Sequence, residues 1–204
     1  TELSELYQEF LTKHPNTRPY FLFTKQSAGT QRFSASFLPL QGVDPYQQIK
    51  NQLPAMIGSG LSGQPNIGAD FVTTTDPEAP EAAIFDLSWK TFSPLALSAA
   101  AGFLDYGRKA TQINRAYLKL KSELAPYHTS LAHQAINAKP MMRAMFLEFP
   151  HDRLAYTKFT QNQYMFGPYF LVAPIYMNHT NGAGDSIRNN IYLPDNRTPW
   201  IDFL

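Results

Sequence analysis

Two aspartates occupy positions where a carboxylate could serve chemistry. Asp70 ends the short apolar run NIGADF (residues 66–71), which is typical of a buried parallel strand. Asp44 comes directly before Pro45, at the start of a predicted helix. A carboxylate at the carboxyl end of a parallel strand is well placed to bind a ligand, but it can also be an ordinary strand-end residue. An Asp-Pro pair is equally typical of a helix N-terminus.

Other polar side chains give weaker signals. The histidines have no metal-ligand spacing with one another or with acids, so we expect them on the surface or in helix packing: His128, His133 and His151. No serine sits in a Gly-x-Ser-x-Gly elbow, and GSGLSG (58–63) lacks the Gly-Lys-Ser/Thr of a phosphate loop. The chain has no cysteine, which excludes disulfides and thiolate metal sites. We predict neither a metal nor a cofactor.

The composition is that of a globular chain. Of 204 residues, 44% are hydrophobic and 16% are charged, which provides an ample core. The net charge of +1 and the absence of a clustered basic face argue against nucleic acid as a partner. The first residues do not resemble a signal peptide, and their abrupt start predicts a piece of a longer protein.

The most apolar stretch, QYMFGPYFLVAPI (163–175), is too short for a membrane span, which needs about 20 apolar residues. Gly167-Pro168 interrupts it, and its Tyr, Phe, Val and Ile content favours strands. We therefore predict no membrane span here, and instead two short buried strands around a kink.

Strands and helices alternate in the first three quarters of the chain. Helices are predicted at 3–13, 76–89 and 108–138, the last broken near Pro126, and residues 45–63 are predicted to begin as a helix and end in a Gly/Ser-rich loop. Buried strands are predicted at 18–25, 66–71 and 139–150. The remaining apolar runs read as strands without helices: 163–177, 189–194 and 198–204, with a polar turn at 178–186. Alternation predicts a parallel α/β fold, followed by an all-β part.

The order of the motifs resembles glycoside hydrolase family 31, the α-glucosidase and α-xylosidase family. The motifs are RPYFLFTK (18–25), GTQRF (29–33), GSGLSG, NIGADF, FSPL (92–95), KPMMRAMFLEFP (139–150), QYMFGPYFLVAPI and YLPDNRTPWIDF (192–203). The resemblance implies an α/β fold: residues 1–160 as the second half of a TIM (β/α)8 barrel, and residues 161–204 as the start of a C-terminal β-sandwich domain.

The resemblance also implies a retaining mechanism with two carboxylates, a nucleophile and an acid/base. The nucleophile is expected on an earlier barrel strand, upstream of this chain. In the family the acid/base follows a Gln-Arg-aromatic motif inside Trp-x-Gly-Asp. Here the Trp position falls on Phe37 or Leu38 and the Asp position on Leu40 or Gln41. The nearest acid is Asp44, which is either a relocated acid/base or a helix cap.

The candidate substrate-binding residues are Asp70, Lys25 and Phe37. Asp70 matches the family's sugar-binding Asp. Lys25 replaces an Arg and loses its bidentate fork. Leu97 and Ala99 stand where the family has an Arg and a His that contact the sugar. These departures weaken the resemblance at the site, not in the fold.

Three hypotheses for the function therefore stay open. The first is an α-glycosidase with an α-glycoside substrate. The second is an inactive relative that binds carbohydrate or serves as an interaction scaffold, and the third is a transglycosylase with an altered first subsite. The sequence does not specify the glycon, the linkage, the compartment or the oligomeric state.

Overall fold

Four parallel strands form the first sheet, in the order in which they occur along the chain. The computed structural model describes residues 2–24, 27–39, 44–71, 80–97, 106–177, 180, 182–194 and 199–203. The strands are β1 (Leu22–Phe23), β2 (Ala35–Leu38), β3 (Ile67–Asp70) and β4 (Leu95–Leu97). Each pairs in parallel with the next, so β1 and β4 are the two edges.

Five helices precede, separate or follow these strands along the described part of the chain. They are α1 (Glu2–Lys13), α2 (Pro45–Leu61), α3 (Glu81–Lys90), α4 (Gly107–Glu123) and α5 (Ala125–Ile136). α2 lies between β2 and β3 in the chain, and α3 lies between β3 and β4. This repeated crossover with sequential parallel strands confirms the predicted α/β class.

A second, antiparallel sheet follows. It contains β5 (Met142–Arg143), β6 (Tyr164–Phe166) and β7 (Phe170–Val172) in that order. The predicted kink is confirmed, because Gly167 and Pro168 turn the chain between β6 and β7. Gly167 has φ +61°, and a Cβ there would lie 2.3 Å from Tyr127 Oη, so no other residue fits this turn without a shift.

The predicted strand at 139–150 is wrong over most of its length. Only Met142–Arg143 pairs, and the helix α6 (Met145–Glu148) follows it, with short 3₁₀ helices at Arg153–Tyr156 and Lys158–Thr160. Met, Leu and Glu favour helix, and a short apolar run does not distinguish a strand from a buried helical turn. The expectation that helices end by residue 150 is therefore also wrong.

Two further expectations need correction. α2 continues to Leu61 and so includes part of the predicted Gly/Ser loop. The glycine at position 60 permits a close approach of Pro140, because a Cβ there would lie 2.9 Å from the Pro140 side chain. The run at 18–25 was expected to be a buried strand, but only Leu22–Phe23 pairs and Leu22 is exposed. β1 lies at the sheet edge, so it pairs with only one of the described strands.

The runs at 189–194 and 198–204 were also predicted as strands. Within their described residues neither joins a sheet. The side chain of Gln163 satisfies the backbone there instead: its Oε1 accepts from Tyr192 N at 3.0 Å and its Nε2 donates to Tyr192 O at 2.7 Å. A side-chain amide thus replaces the ladder hydrogen bonds that a strand would make.

One hydrophobic core joins the two sheets. It includes the fully buried Ile49, Leu53 and Trp89 from the helices and Tyr164 and Phe166 from β6. The hydroxyl of Tyr164 donates to the carbonyls of Phe92 at 2.8 Å and Trp89 at 3.2 Å. Among the helices of the described residues, none is long and apolar enough to cross a membrane.

Candidate functional site

The parallel sheet has one face toward the helices and one face away from them. Ile67 and Ala69 of β3 are buried in the core that contains α2 and α3 residues. Because side chains alternate along a strand, Gly68 and Asp70 belong to the opposite face. We call this opposite side the inner face of the sheet.

The strand register places three candidate residues on this inner face. Phe37 of β2 pairs with Gly68, and Leu97 of β4 pairs with Asp70. Asp70 is the last residue of β3 and is 7% exposed, whereas Phe37 is half-buried. The carboxyl ends of parallel strands are where α/β folds bind ligands, so Asp70 stands at the expected edge.

The main chain at Asp70 is held from the helix side. Lys90 Nζ donates to the Asp70 carbonyl at 2.6 Å, and Gln52 Nε2 donates to the same oxygen at 3.3 Å. Both side chains are buried. Fixing this peptide from one face of the sheet sets the direction of the Asp70 side chain on the other face.

Lys90 also forms a buried ion pair that was not predicted from the sequence. Its Nζ lies 2.7 Å from Asp86 Oδ2, and both side chains are 0% exposed. Asp86 Oδ1 accepts from Trp89 Nε1 at 3.2 Å. Burial lowers the pKa of Lys90, and the neighbouring Asp86 carboxylate opposes that shift. The i, i+4 spacing was visible in the sequence, but such pairs usually lie on a solvated helix face.

Asp44 is the N-cap of α2. Its Oδ1 accepts from the backbone N–H of Tyr46 at 3.0 Å and of Gln47 at 3.1 Å, and the residue is exposed. The capping interpretation is therefore confirmed. The catalytic interpretation of Asp44 stays a prediction.

Several expectations fall on residues outside the described ranges. These are Lys25, Leu40, Gln41 and Ala99. The structure thus brings Asp70, Phe37 and Leu97 onto one face and places Asp44 at a neighbouring helix start.

His128 packs between helices, as predicted. Its ring nitrogens lie 3.0 Å from Leu124 O and 3.2 Å from Ser93 O, and its ring centroid lies 4.9 Å from that of Phe166. His133 and His151 are exposed. Over the part of the chain that the structure covers, no three His, Asp or Glu residues come close enough to hold a metal ion.

Two domain families match consecutive parts of the chain. The glycosyl hydrolases family 31 TIM-barrel domain matches residues 2–131, and the glycosyl hydrolase family 31 C-terminal domain matches residues 138–204. With the two sheets described above, these matches confirm half of a TIM barrel followed by the beginning of a β-domain.

Curated relatives include two α-xylosidases. That of Saccharolobus solfataricus is 27% identical over 198 residues, which cover 92% of this chain and 26% of the relative. That of Emericella nidulans is 41% identical over 108 residues, which cover 48% of this chain and 12% of the relative. The chain therefore spans about a quarter or less of the length of these relatives.

Solved structures show the same fold. A family 31 α-xylosidase from a soil metagenome, complexed with xylose, superimposes with a TM-score of 0.74 at 25% identity and covers 86% of this chain and 30% of that one. A xylosidase from Aspergillus niger gives a TM-score of 0.75 at 21% identity over 88% of this chain and 30% of that one. Sequence and structure agree, and the chain belongs to glycosyl hydrolase family 31.

Proposed function

We propose that the full-length protein acts on α-linked glycosides, which it binds at the carboxyl end of the barrel strands. The observation that carries this proposal is the position of Asp70. It ends β3 on the inner face, and its main chain is fixed from behind by Lys90 and Gln52. The α-xylosidases among the relatives support an α-xyloside or a similar sugar as the substrate.

Each candidate residue has a distinct role in this proposal. The Asp70 carboxylate accepts hydrogen bonds from sugar hydroxyls, and charge-assisted bonds of this kind are strong in a buried site. The Phe37 ring lines the same face and offers an apolar surface to the sugar ring. Leu97, paired with Asp70, adds a second apolar wall and no charge. Lys25 contributes a point charge to sugar binding.

The proposed chemistry is the retaining mechanism. A nucleophilic carboxylate upstream of this chain attacks the anomeric carbon, and a second carboxyl group about 5–5.5 Å away protonates the leaving oxygen. Asp44 is the candidate for that acid. The capping contacts hold the Asp44 carboxyl group in one orientation. Proton transfer therefore requires the leaving oxygen of the substrate to lie within hydrogen-bond distance of an Asp44 carboxyl oxygen in that orientation.

The test is turnover by the full-length protein on aryl α-xyloside, α-glucoside, α-galactoside and N-acetyl-α-galactosaminide. We expect hydrolysis of at least one, and Asp70→Asn to lower kcat/KM by about 10- to 100-fold because one charged hydrogen-bond acceptor is lost. Asp152→Asn is the matched control, since Asp152 accepts from Leu154 N at 2.9 Å at the start of a 3₁₀ helix. Equal activity of the wild type, Asp70→Asn and Asp152→Asn would contradict the proposal. Analysis of the products separates hydrolysis from glycosyl transfer.

A second function, sugar binding without turnover, is favoured by one observation. Both hydrogen bonds that Asp44 Oδ1 accepts come from the backbone of its own helix. An inactive relative would bind xylose or glucose in calorimetry, lose that binding with Asp70→Asn, and release no product from any aryl glycoside.

A further inference from the structure

A cavity lies in the C-terminal part of the chain. Its volume is about 320 Å³, and it lies between the 3₁₀ helix at Lys158–Thr160 and the segments at 175–177 and 187–190. None of its lining residues belongs to β1–β4, which carry the inner face. Its polar lining residues are Lys158, Asn162, Tyr176, Arg188, Asn189 and Asn190.

Arg188 is the anchor of this cavity. Its Nη1 donates to the carbonyls of Pro174 at 2.6 Å and Asn162 at 2.7 Å, and its guanidinium carbon lies 5.1 Å from the centre of the Tyr176 ring. These contacts hold the planar group in one orientation. Because both Nη1 hydrogens are engaged, Nη2 is the group left to donate to an oxyanion, and a guanidinium held in one orientation is pre-organised for that contact.

One nitrogen of that guanidinium has no hydrogen-bond partner among the described residues. This nitrogen is the buried Nε of Arg188. Within the same ranges no carboxylate lies within ion-pair distance of this side chain. Burial lowers the pKa of Arg188. Cations removed from water are normally paired with an anion, and an anionic ligand at Nη2 would be such a partner.

The remaining lining adds a second cation and neutral amides. Lys158 lines the same cavity, and none of the described lining residues is acidic. Asn162, Asn189 and Asn190 provide amide groups that both donate and accept, as sugar hydroxyls require. A cavity of this size is large enough for a monosaccharide.

From this geometry we infer that the cavity binds a monosaccharide carrying an oxyanion, with Arg188 and Lys158 on the anion and the asparagine amides on the hydroxyls. The site is separate from the proposed α-glycoside site at Asp70. A sugar carboxylate and a sugar phosphate present the same recognition element, and the experiment distinguishes them.

The experiment is calorimetric titration of the full-length protein with glucuronate, glucose 6-phosphate, inorganic phosphate and glucose. We expect one of the two sugar anions to bind with unit stoichiometry, to bind more tightly than inorganic phosphate, and to weaken as salt rises. The sugar anion that binds the wild type should bind the Asp70→Asn variant with the same affinity. Binding at this cavity is then independent of the proposed glycosidase function. Inorganic phosphate binding as tightly as both sugar anions would overturn the sugar part of the inference.

Variants locate the binding. Lys158→Gln should weaken sugar-anion binding about threefold, and Lys158→Arg should restore it, whereas Lys50→Gln on exposed α2 surface should change nothing. Arg188→Gln should abolish binding, with circular dichroism to verify that the fold survives loss of the Nη1 contacts. Unchanged affinity in Lys158→Gln, or no binding of either sugar anion to the wild type, would overturn the inference.

Discussion

Asp44 caps α2 and is also the proposed acid/base, and a single substitution separates these two roles. Asparagine caps a helix about as well as aspartate, but it cannot donate the proton of a carboxylic acid. If Asp44 is the acid/base, Asp44→Asn should slow cleavage of an α-linked disaccharide by about 100-fold or more and leave the melting temperature nearly unchanged.

The leaving group provides an internal control for that prediction. Aryl glycosides with a good leaving group need less proton donation, so their cleavage should fall much less in Asp44→Asn. Asp44→Ala should also cost about 1 kcal/mol of stability, because the backbone N–H groups of Tyr46 and Gln47 lose their acceptor. An equal and small effect on both substrate classes would show that Asp44 is a cap and nothing more.

The Lys90–Asp86 pair predicts a large effect on stability. Lys90→Met removes the cation that neutralises the fully buried Asp86 carboxylate, which should cost about 3–5 kcal/mol of unfolding free energy. The double variant Lys90→Met/Asp86→Leu removes both charges and should recover most of this loss. Denaturant unfolding of the four proteins in a double-mutant cycle measures the coupling. Additive losses in the double variant would contradict the assignment of an ion pair.

At the residue scale, the sequence predicted that Asp70 ends a strand, but it did not predict which side chains hold the Asp70 main chain. An acid directly after a short apolar run is a recognisable strand-end signal, and the structure places it there. Lys90, Asp86 and Gln52 lie in helices where nothing local marks them as buried. Their burial depends on which helix face meets the sheet, which only tertiary packing decides.

At the scale of elements, the C-terminal end of α3 is held by a cation from α4. Lys121 Nζ donates to the carbonyls of Lys90 at 2.9 Å, Thr91 at 3.2 Å and Ser93 at 2.9 Å. These include carbonyls that a helix end leaves without partners. Burial lowers the pKa of Lys121 from 10.5 to about 8.

This shift predicts a pH dependence with a defined sign. Below pH 8 Lys121 is protonated in both states, whereas between about 8 and 10.5 the unfolded chain binds more protons than the folded protein. Stability from this group therefore rises with pH through that window, by up to about 1 kcal/mol per pH unit, and is lost again as the pH falls to 8.

The measurement compares the wild type with Lys121→Met in urea between pH 8 and about 9.5, below the range in which unfolded tyrosines ionise. The stability difference should shift in favour of the wild type as the pH rises. A constant difference would contradict the lowered pKa of Lys121.

The long helical patterns and the short strands within 66–71 and 163–177 were predictable, whereas the apolar run at 139–150 was not. The helix at 3–13 and the break near Pro126 are confirmed by α1 and by the junction of α4 and α5. The strand prediction for residues 139–150 was wrong over most of its length, because their apolar content is equally typical of a strand and of a buried helical turn. The segment around Tyr192 failed for another reason, since a distant glutamine side chain satisfies its backbone.

At the scale of the whole molecule, the 204-residue chain exposes surfaces that a complete barrel would cover. Among the described strands, β1 and β4 are the outer strands of the parallel sheet, and Tyr20 and Leu22 near β1 are exposed. Open edges and apolar patches favour association. Expressed alone, residues 1–204 should therefore form oligomers or aggregates in sedimentation velocity. A monodisperse monomer that unfolds cooperatively would contradict this expectation.

The proposed function requires that a sugar binds at Asp70 on the inner face of the sheet, whether or not it is then hydrolysed. The most direct measurement is a crystal structure of the full-length protein with xylose or glucose. We predict a sugar hydroxyl within hydrogen-bond distance of the Asp70 carboxylate, at the carboxyl end of β3 and beside Phe37. A sugar bound only elsewhere, with the Asp70 carboxylate engaged solely by protein groups, would contradict the proposed function.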